Sequence, residues 1–239
     1  IPSILNALKK EAYTAPTPIQ EQAIPPVLKK KDLLGCAQTG TGKTCAFATP
    51  ILQRLNADVV VGPRYIRSLI LTPTRELALQ IQEELRDLCR YKEGVRTVCL
   101  YGGAPIDKQI NALKRKPQIV VATPGRLMDH YNRKTIRLDK IQTVVLDEAD
   151  RMLDMGFVHD VKKVIAKLPA QRQNLMFSAT MPKEIEQLAA GILQDPAFVK
   201  VDPVSSTVDR IDQSLYFVEK GNKKFLLPWL IKNLNPPVV

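Results

Sequence analysis

The amino-acid sequence predicts an α/β protein with a mostly parallel sheet and helices on both of its faces. Short segments rich in apolar and β-branched residues recur along the 239-residue chain, and segments with apolar residues three and four apart separate them. The apolar segments are continuous rather than alternating, as expected for strands that helices cover on both faces. We expect strands at residues 33–37, 68–72, 95–101, 118–123, 143–147, 174–178 and 198–201.

A glycine-containing loop follows the first predicted strand and leads into a predicted helix. Gly40 and Gly42 permit a tight turn that aims backbone N–H groups inward, and the helix that starts near Gly42 adds the positive end of its dipole. The general pattern has glycine where this chain has Ala37, so a turn with an incidental Lys-Thr pair is the alternative. A lysine and a threonine after the last glycine are what a triphosphate and Mg²⁺ require. We therefore favour a nucleoside triphosphate site formed by Ala37, Gln38, Thr39, Gly40, Thr41, Gly42, Lys43 and Thr44.

Two carboxylates, Asp147 and Glu148, end the apolar strand predicted at 143–147. In enzymes with such a loop, an acid at this position holds Mg²⁺, partly through water, together with the loop hydroxyl, here Thr44. Glu148 can then orient or deprotonate the attacking water. A solvated strand end is the alternative interpretation, but the loop upstream argues against it. The candidate catalytic residues are Lys43, Asp147 and Glu148.

Polar or glycine-containing motifs follow the other predicted strands as well. Ligands of parallel α/β sheets bind at the carboxyl ends of the strands, so we expect all these motifs to share one edge. They occupy residues 37–44, 73–76, 102–103, 123–126, 147–150 and 178–180.

Residues 147–150 read D-E-A-D, and the chain resembles the DEAD-box RNA helicases over essentially its whole length. The resemblance implies an ATP-dependent RNA-remodelling protein with two RecA-like domains of the P-loop NTPase class. It assigns residues 1–203 to the first domain and 204–239 to a linker and the truncated start of the second. In that last segment we expect a strand at 211–218 and a helix at 223–234.

Residues 13–20 resemble the Q motif of this family. Gln20 carries both a donor and an acceptor, the pair needed to recognise adenine, which predicts ATP rather than GTP. Tyr13 could stack on the base or serve as a core tyrosine. Ala12 stands where the family usually has glycine, so adenine affinity could be weakened. The candidate residues here are Tyr13, Thr17 and Gln20.

Residues 178–180 resemble the SAT motif of the family. The resemblance implies that the hydroxyls of Ser178 and Thr180 bond Asp150 and couple nucleotide state to domain closure. Capping of the helix that follows Pro182 is a second interpretation, and the two are compatible.

Three further motifs resemble the RNA-contacting motifs of the family. Helix N-termini, glycine N–H groups and small hydroxyls bind phosphate and ribose without reading bases. From spacing alone, helix capping explains the two threonines equally well. The candidate RNA-binding residues are Pro73, Thr74, Arg75, Gly102, Gly103, Thr123, Pro124, Gly125 and Arg126. We interpret the lysine-rich segments 29–31 and 114–116 as solvated helix ends instead.

The composition agrees with a protein that works inside the cell and binds a polyanion. Thirty-five Lys and Arg against 24 Asp and Glu give a net charge of +11, which suits RNA, although solubility alone could explain it. Four dispersed cysteines form no C-x-x-C motif and predict reduced thiols. No apolar run approaches the roughly 20 residues of a membrane span. We expect a cytoplasmic protein without membrane contact, monomeric or with residues 208–239 exchanged between chains.

The expected function is ATP-dependent RNA unwinding with ATP and Mg²⁺ as cofactors. An ATP-gated RNA clamp without productive unwinding is the alternative, and a DNA translocase is a third hypothesis that Gln20 and the D-E-A-D sequence argue against. In this family the arginine finger belongs to the second domain, so we expect residues 1–239 alone to bind nucleotide and RNA weakly and to be inactive.

Overall fold

A single sheet organises the chain in the computed structural model, which describes residues 2–57, 64–90, 94–201 and 214–234. Within these residues the sheet has seven strands in the order β3-β4-β2-β5-β6-β1-β7, and every pairing is parallel. All seven predicted strands are confirmed, with ends that differ by one or two residues. They are β1 Leu33–Cys36, β2 Ser68–Leu71, β3 Thr97–Leu100, β4 Ile119–Ala122, β5 Thr143–Leu146, β6 Gln173–Ser178 and β7 Ala197–Lys200.

Helices connect the strands and cover both faces of the sheet. Alternate residues of one strand enter different cores: Leu69 and Leu71 join one apolar cluster, whereas Ile70 joins the other. This explains why the strands are continuously apolar. The helices are α1 Pro2–Lys10, α2 Pro18–Leu28, α3 Lys43–Ala57, α4 Arg75–Leu88, α5 Ile106–Leu113, α6 Pro124–Asn132, α7 Ala149–Asp154, α8 Val158–Ile165, α9 Lys183–Ile192 and α10 Lys223–Leu234.

The strand register brings the predicted motifs to one edge of the sheet. Cys36 pairs with Ser178, and Leu71 pairs with Leu146 and Ala122, so neighbouring strands end side by side. The segments that follow these strands therefore start at the same edge, as predicted.

Contacts divide the chain into two compact units, Ile1–Asp202 and Pro203–Val239. In the second unit α10 coincides with the predicted helix. The strand predicted at 211–218 is wrong over its described part, because residues 214–219 contain no strand, and 211–213 lie outside the described residues. A strand needs a hydrogen-bonded neighbour, and none of the pairings of the described residues involves this segment.

Two smaller expectations concern the chain as a whole. All four cysteines, Cys36, Cys45, Cys89 and Cys99, are free thiols, as predicted. Among the helices that the structure describes, none is both long enough and apolar enough to cross a membrane.

Candidate functional site

The glycine-containing loop joins β1 to α3 and adopts the geometry that its sequence predicts. Gly40 and Gly42 have φ values of +85° and +89°, a region that glycine reaches without penalty. Ala37 is not among the residues of the described chain with positive φ, and its N–H donates to Ser178 O at 3.0 Å, which continues the pairing of β1 with β6. Alanine at the first position of the pattern therefore causes no backbone strain.

Lys43, the first residue of α3, is buried at the base of this loop. It is 6% exposed, and its Nζ atom has no hydrogen-bond partner among the described residues. A buried ammonium without acceptors is costly. Phosphate oxygens held by the loop would supply the acceptors that this group lacks.

Asp147 follows β5 and is also buried, with 5% exposure. Its N–H donates to Leu71 O at 2.9 Å, so the backbone continues the pairing of β5 with β2. Burial raises the pKa of Asp147 to about 6; the ammonium of Lys43 opposes the rise and the neighbouring Glu148 adds to it. Asp147 is thus held near a cation in a site where its negative charge is poorly solvated.

Glu148 has a left-handed backbone, with φ +55° and ψ +54°, and is 3% exposed. Its Oε1 accepts a hydrogen bond from Thr39 Oγ1 at 3.1 Å, and its Oε2 accepts one from Arg151 Nη1 at 2.8 Å. Thr39 belongs to the glycine-containing loop, so Glu148 faces the predicted triphosphate site. A non-glycine residue in this conformation carries strain of a kind that occurs at functional sites.

Thr44 has a partner that the sequence did not indicate, the carboxyl group of Glu84 on α4. Burial raises the pKa of Glu84, and hydrogen bonds from the hydroxyls of Thr44 and Tyr13 oppose the rise. Burial, followed by the charge of Glu84, raises the pKa of Tyr13 to about 12. The hydroxyl of Tyr13 therefore lies near Glu84, while stacking of its ring on a base stays a prediction.

Gln20 connects the segment 13–20 with the glycine-containing loop. It is 3% exposed; its Oε1 accepts from the N–H of Thr17 at 3.0 Å, and its Nε2 donates to Gly42 O at 3.2 Å. Tyr13 and Gln20 also line a largely apolar cavity of about 360 Å³, together with Cys45. The predicted adenine residues thus lie beside the loop and next to a space with apolar walls.

The hydrogen bonds expected between residues 178–180 and Asp150 are present. Ser178 Oγ accepts from the N–H of Asp150 at 3.2 Å, and Thr180 Oγ1 donates to Asp150 Oδ2 at 3.0 Å. Burial alone would raise the pKa of Asp150, but hydrogen bonds from Thr180 and other neighbours outweigh it and lower the pKa. The N-cap of α9 is Pro182, which makes no side-chain cap bond, so the structure favours the bonds to Asp150 over helix capping.

The motifs after β2 and β3 meet at the same edge. The Arg75 guanidinium lies 5.0 Å from the centre of the Tyr101 ring, and its Nη1 would be 3.9 Å from a Cβ placed on Gly103. Thr74 Oγ1 accepts from the N–H of Leu77 at 3.3 Å and so caps α4. Thr74 therefore caps a helix, as one of its two interpretations predicted. The Arg75 guanidinium lies next to the glycines.

The motif after β4 reaches the same loop. Arg126 Nη1 donates to Ala104 O at 3.0 Å, immediately after Gly103. Thr123 is the N-cap of α6 but makes no side-chain cap bond. Within the predicted RNA set, Arg75, Gly102, Gly103 and Gly125 are exposed, whereas Pro73 and Pro124 are buried and can act only through the backbone they shape.

The lysine-rich segments lie away from this edge, as predicted. Lys29 is the C-cap of α2 and Lys114 is the C-cap of α5. Both helix ends precede the first residues of the next strands, β1 and β4. They therefore belong to the opposite edge of the sheet and fit solvated helix C-termini.

Comparisons with known proteins agree with this arrangement. A family model described as DEAD/DEAH box helicase matches residues 17–188. The ATP-dependent RNA helicase CshA of Limosilactobacillus reuteri is 50% identical over 216 residues, which are 90% of this chain and 42% of that protein. The DEAD-box ATP-dependent RNA helicase CshA of Bacillus subtilis is 44% identical over 222 residues, or 93% of this chain and 44% of that one.

A solved structure gives the same result for the fold. The crystal structure of a hypothetical ATP-dependent RNA helicase from Sulfolobus tokodaii has a TM-score of 0.76 and 36% sequence identity, and it covers 83% of this chain and 56% of that one. The chain spans less than half the length of the two curated relatives. Because the family model matches well over half of the residues, the chain belongs to the DEAD/DEAH box helicase family and has its RecA-like α/β fold.

Proposed function

We propose that this chain is the nucleotide-binding domain of an ATP-dependent RNA helicase that couples ATP hydrolysis to unwinding of RNA. The observation that carries the proposal is the buried Lys43 ammonium, which has no hydrogen-bond partner in the described chain and lies beside Asp147 at the glycine-containing loop. The two curated relatives are ATP-dependent RNA helicases, which supports the same activity.

The triphosphate occupies the loop 37–44. Backbone N–H groups of the loop and the start of α3 face the phosphate oxygens, and Lys43 neutralises their charge. Thr44 and Asp147 are the residues that would hold Mg²⁺, with water in the remaining positions. Oxygen donors from one hydroxyl and one carboxylate suit this ion, which usually keeps several waters in phosphate sites. When bound, Mg²⁺ neutralises charge on the phosphates.

Glu148 orients the attacking water and accepts its proton. The hydrogen bond from Thr39 fixes one carboxylate oxygen against the loop that holds the phosphates. Arg151 fixes the other oxygen from the solvent side. Two such contacts reduce the freedom of the carboxylate, which is how positioning contributes to phosphoryl transfer.

Adenine is recognised by Gln20, with Thr17 and Tyr13 beside it. The amide of Gln20 presents both a donor and an acceptor, and adenine exposes the complementary pair whereas guanine does not. Because both atoms already have protein partners, adenine binding and loop conformation depend on each other.

RNA lies along the edge formed by 73–75, 102–103 and 123–126. These segments offer backbone N–H groups and two arginines, which bind phosphates without reading bases. Asp150, Ser178 and Thr180 couple this domain to a second RecA-like domain, of which 204–239 is the linker and beginning. Monomeric state, exchange of 208–239 and a cytoplasmic location stay predictions.

The test is RNA-stimulated ATPase and duplex unwinding by the full-length protein that contains this chain. We expect ATP but not GTP to support unwinding, and Lys43→Ala to reduce ATPase by roughly 100-fold or more. RNA binding and ATPase without strand separation would support the clamp instead. Stimulation by DNA equal to that by RNA would contradict the RNA assignment.

A further inference from the structure

A chain of buried polar side chains runs beneath the exposed glycine loop 102–103. His130 on α6 is 0% exposed, and Gln109 on α5 is 6% exposed. Gln109 Nε2 donates to Tyr101 O at 3.0 Å, Gln109 Oε1 lies 3.1 Å from His130 Nε2, and His130 Nδ1 lies 2.8 Å from Thr135 Oγ1. None of these side chains has a role in the nucleotide site.

The hydrogen-bonding capacities of these groups determine where the protons are. Tyr101 O can only accept, so the Gln109 amide must present its NH₂ group there and its Oε1 to His130. The imidazole therefore carries its proton on Nε2. Thr135 Oγ1 lies 2.8 Å from Nδ1 and also donates to His130 O at 3.0 Å, so Nδ1 of the neutral ring shares the single hydroxyl proton with this carbonyl. Burial, assisted by the charge of Arg126, lowers the pKa of His130 and keeps this neutral form at neutral pH.

The glycine loop above these buried side chains has no side chains of its own that could fix its conformation. Gly102 and Gly103 are exposed and lack side chains, and Gly103 has φ +77°. Glycine has more backbone freedom than any other residue, so an unsupported pair would sample many conformations. The loop is instead held at both ends, at Tyr101 O by Gln109 and at Ala104 O by Arg126.

Both contacts that hold the loop depend on helix α6. Arg126 and His130 are four residues apart on α6 and hence on one face of it. Arg126 contacts the loop directly, and His130 acts through Gln109. The N-terminus of α6 is the segment 123–125, itself part of the predicted RNA edge. The helix therefore sets the glycine loop in position relative to its own N-terminus.

We propose that Gln109 and His130 are positioning residues that hold the Gly102–Gly103 backbone in the conformation that receives an RNA phosphate. The RNA part of this inference rests on the proposed function. Loss of the support leaves the loop folded but mobile, so RNA must order it on binding and affinity falls.

The experiment compares Gln109→Leu with Gln173→Leu. Gln173 is a matched control because it is a glutamine of 5% exposure whose Nε2 donates to two backbone oxygens, Val27 O and Lys31 O, at the opposite edge of the sheet. Both variants lose an amide and two or more buried hydrogen bonds, so both lose stability. Amide hydrogen exchange of residues 102–104 and affinity for a single-stranded oligouridylate are measured for each.

We expect Gln109→Leu to accelerate exchange at 102–104 roughly tenfold and to weaken RNA binding by a similar factor, while nucleotide affinity stays unchanged. His130→Phe and Thr135→Val, further from the loop, are expected to give progressively smaller increases in exchange. They also keep the comparison available if Gln109→Leu does not fold.

Three results would overturn the inference or part of it. Equal exchange at 102–104 in the Gln109→Leu and Gln173→Leu variants would show that the buried side chains of Gln109 and His130 do not hold the loop. Faster exchange with unchanged RNA affinity would show that the held conformation is not the one that binds RNA. A third result combines faster exchange in Gln109→Leu with no RNA binding by the unmodified protein. It would overturn the proposed RNA function and leave the support of the loop intact.

Discussion

The hydroxyl of Thr39 lies 3.1 Å from Oε1 of Glu148 and connects the loop after β1 with the acidic segment after β5. The contact joins residues 109 positions apart in the sequence. It makes the position of the proposed water-activating carboxylate depend on the conformation of the glycine-containing loop.

Removing this contact is expected to slow hydrolysis without preventing ATP binding. Thr39→Val keeps the shape of the side chain and deletes the donor, so Glu148 loses one of its two restraints. We expect kcat of the full-length protein to fall roughly tenfold, with a KM for ATP within about twofold of the unmodified value.

The control for this change is Thr143→Val, which deletes a buried threonine hydroxyl at the far end of β5, where it accepts from Arg54 Nη1. It is expected to lower stability and leave kcat unchanged. A Thr39→Val enzyme with a raised KM and an unchanged kcat would contradict the positioning role.

Asp147 makes the stability of the domain depend on pH. Its pKa is raised to about 6 in the folded protein, so the folded state binds a proton more tightly than the unfolded state between about pH 4 and pH 6. Stability contributed by this group is present below pH 4 and is lost as the pH rises through 6. Asp147→Asn removes the buried charge and is expected to stabilise the domain by about 3 kcal/mol at pH 7 and by much less at pH 4.

Urea unfolding at several pH values measures this difference. Asp129→Asn is a control with the opposite sign, because the partly exposed Asp129 has its pKa lowered mainly by a hydrogen bond from Arg133. It is expected to be no more stable than the unmodified protein at pH 7. A gain from Asp147→Asn that is equal at all pH values would contradict the titration of Asp147.

The two loop glycines are expected to differ in their tolerance of alanine. Both have positive φ, so either substitution costs roughly 1 kcal/mol in backbone strain. A Cβ on Gly42 would also lie 2.4 Å from Gln20 Nε2, whereas a Cβ on Gly40 would meet nothing within 4 Å.

Gly42→Ala is therefore expected to be the more destabilising variant by about 1–3 kcal/mol, and to displace Gln20. Thermal unfolding gives the stability difference, and binding of fluorescent ADP and GDP analogues gives the base preference. We expect Gly42→Ala to lose the preference for adenine. Equal effects of both substitutions would show that Gln20 moves aside without cost.

Thr180 is expected to affect coupling more than hydrolysis. Thr180→Val removes the hydroxyl that donates a hydrogen bond to Asp150 Oδ2. The N–H groups of Ala179 and Thr180 still donate to the same oxygen, at 3.1 and 2.8 Å. The site stays assembled but loses one restraint. We expect ATPase of the full-length protein within about threefold of normal and unwinding per ATP reduced roughly tenfold. A parallel loss of both activities would assign Thr180 to hydrolysis instead.

Arg75 is expected to contribute to RNA affinity through charge. Its guanidinium lies over Tyr101 beside Gly103, at the edge where RNA phosphates are proposed to bind. Arg75→Ala should weaken binding of single-stranded RNA of any sequence and reduce the slope of log K against log salt by about 0.7. Arg86→Ala is the control, since Arg86 is an exposed arginine of the same helix that pairs with Glu83. Equal salt slopes for the two variants would place RNA elsewhere.

Much of the fold was predictable because its signals are local. Continuous apolar segments such as 143–147 lie in strands buried on both faces, and the motifs that follow them share an edge because every described strand is parallel. The strand predicted at 211–218 was wrong over its described part, 214–218, which has no neighbouring strand among the described pairings. Apolar character indicates that a segment can form a strand, but pairing decides whether it does.

The sequence by itself determined the strands of the sheet, the glycine-containing loop and the choice of candidate residues from Tyr13 to Thr180. Only the tertiary structure decided which distant side chains meet: Glu84 with Thr44, Arg126 with the backbone of Ala104, and His130 with Gln109 beneath the glycine loop. The physical reason is that motifs arise from the backbone needs of a few consecutive residues. Contacts between elements depend instead on packing and register, which no short segment of sequence contains.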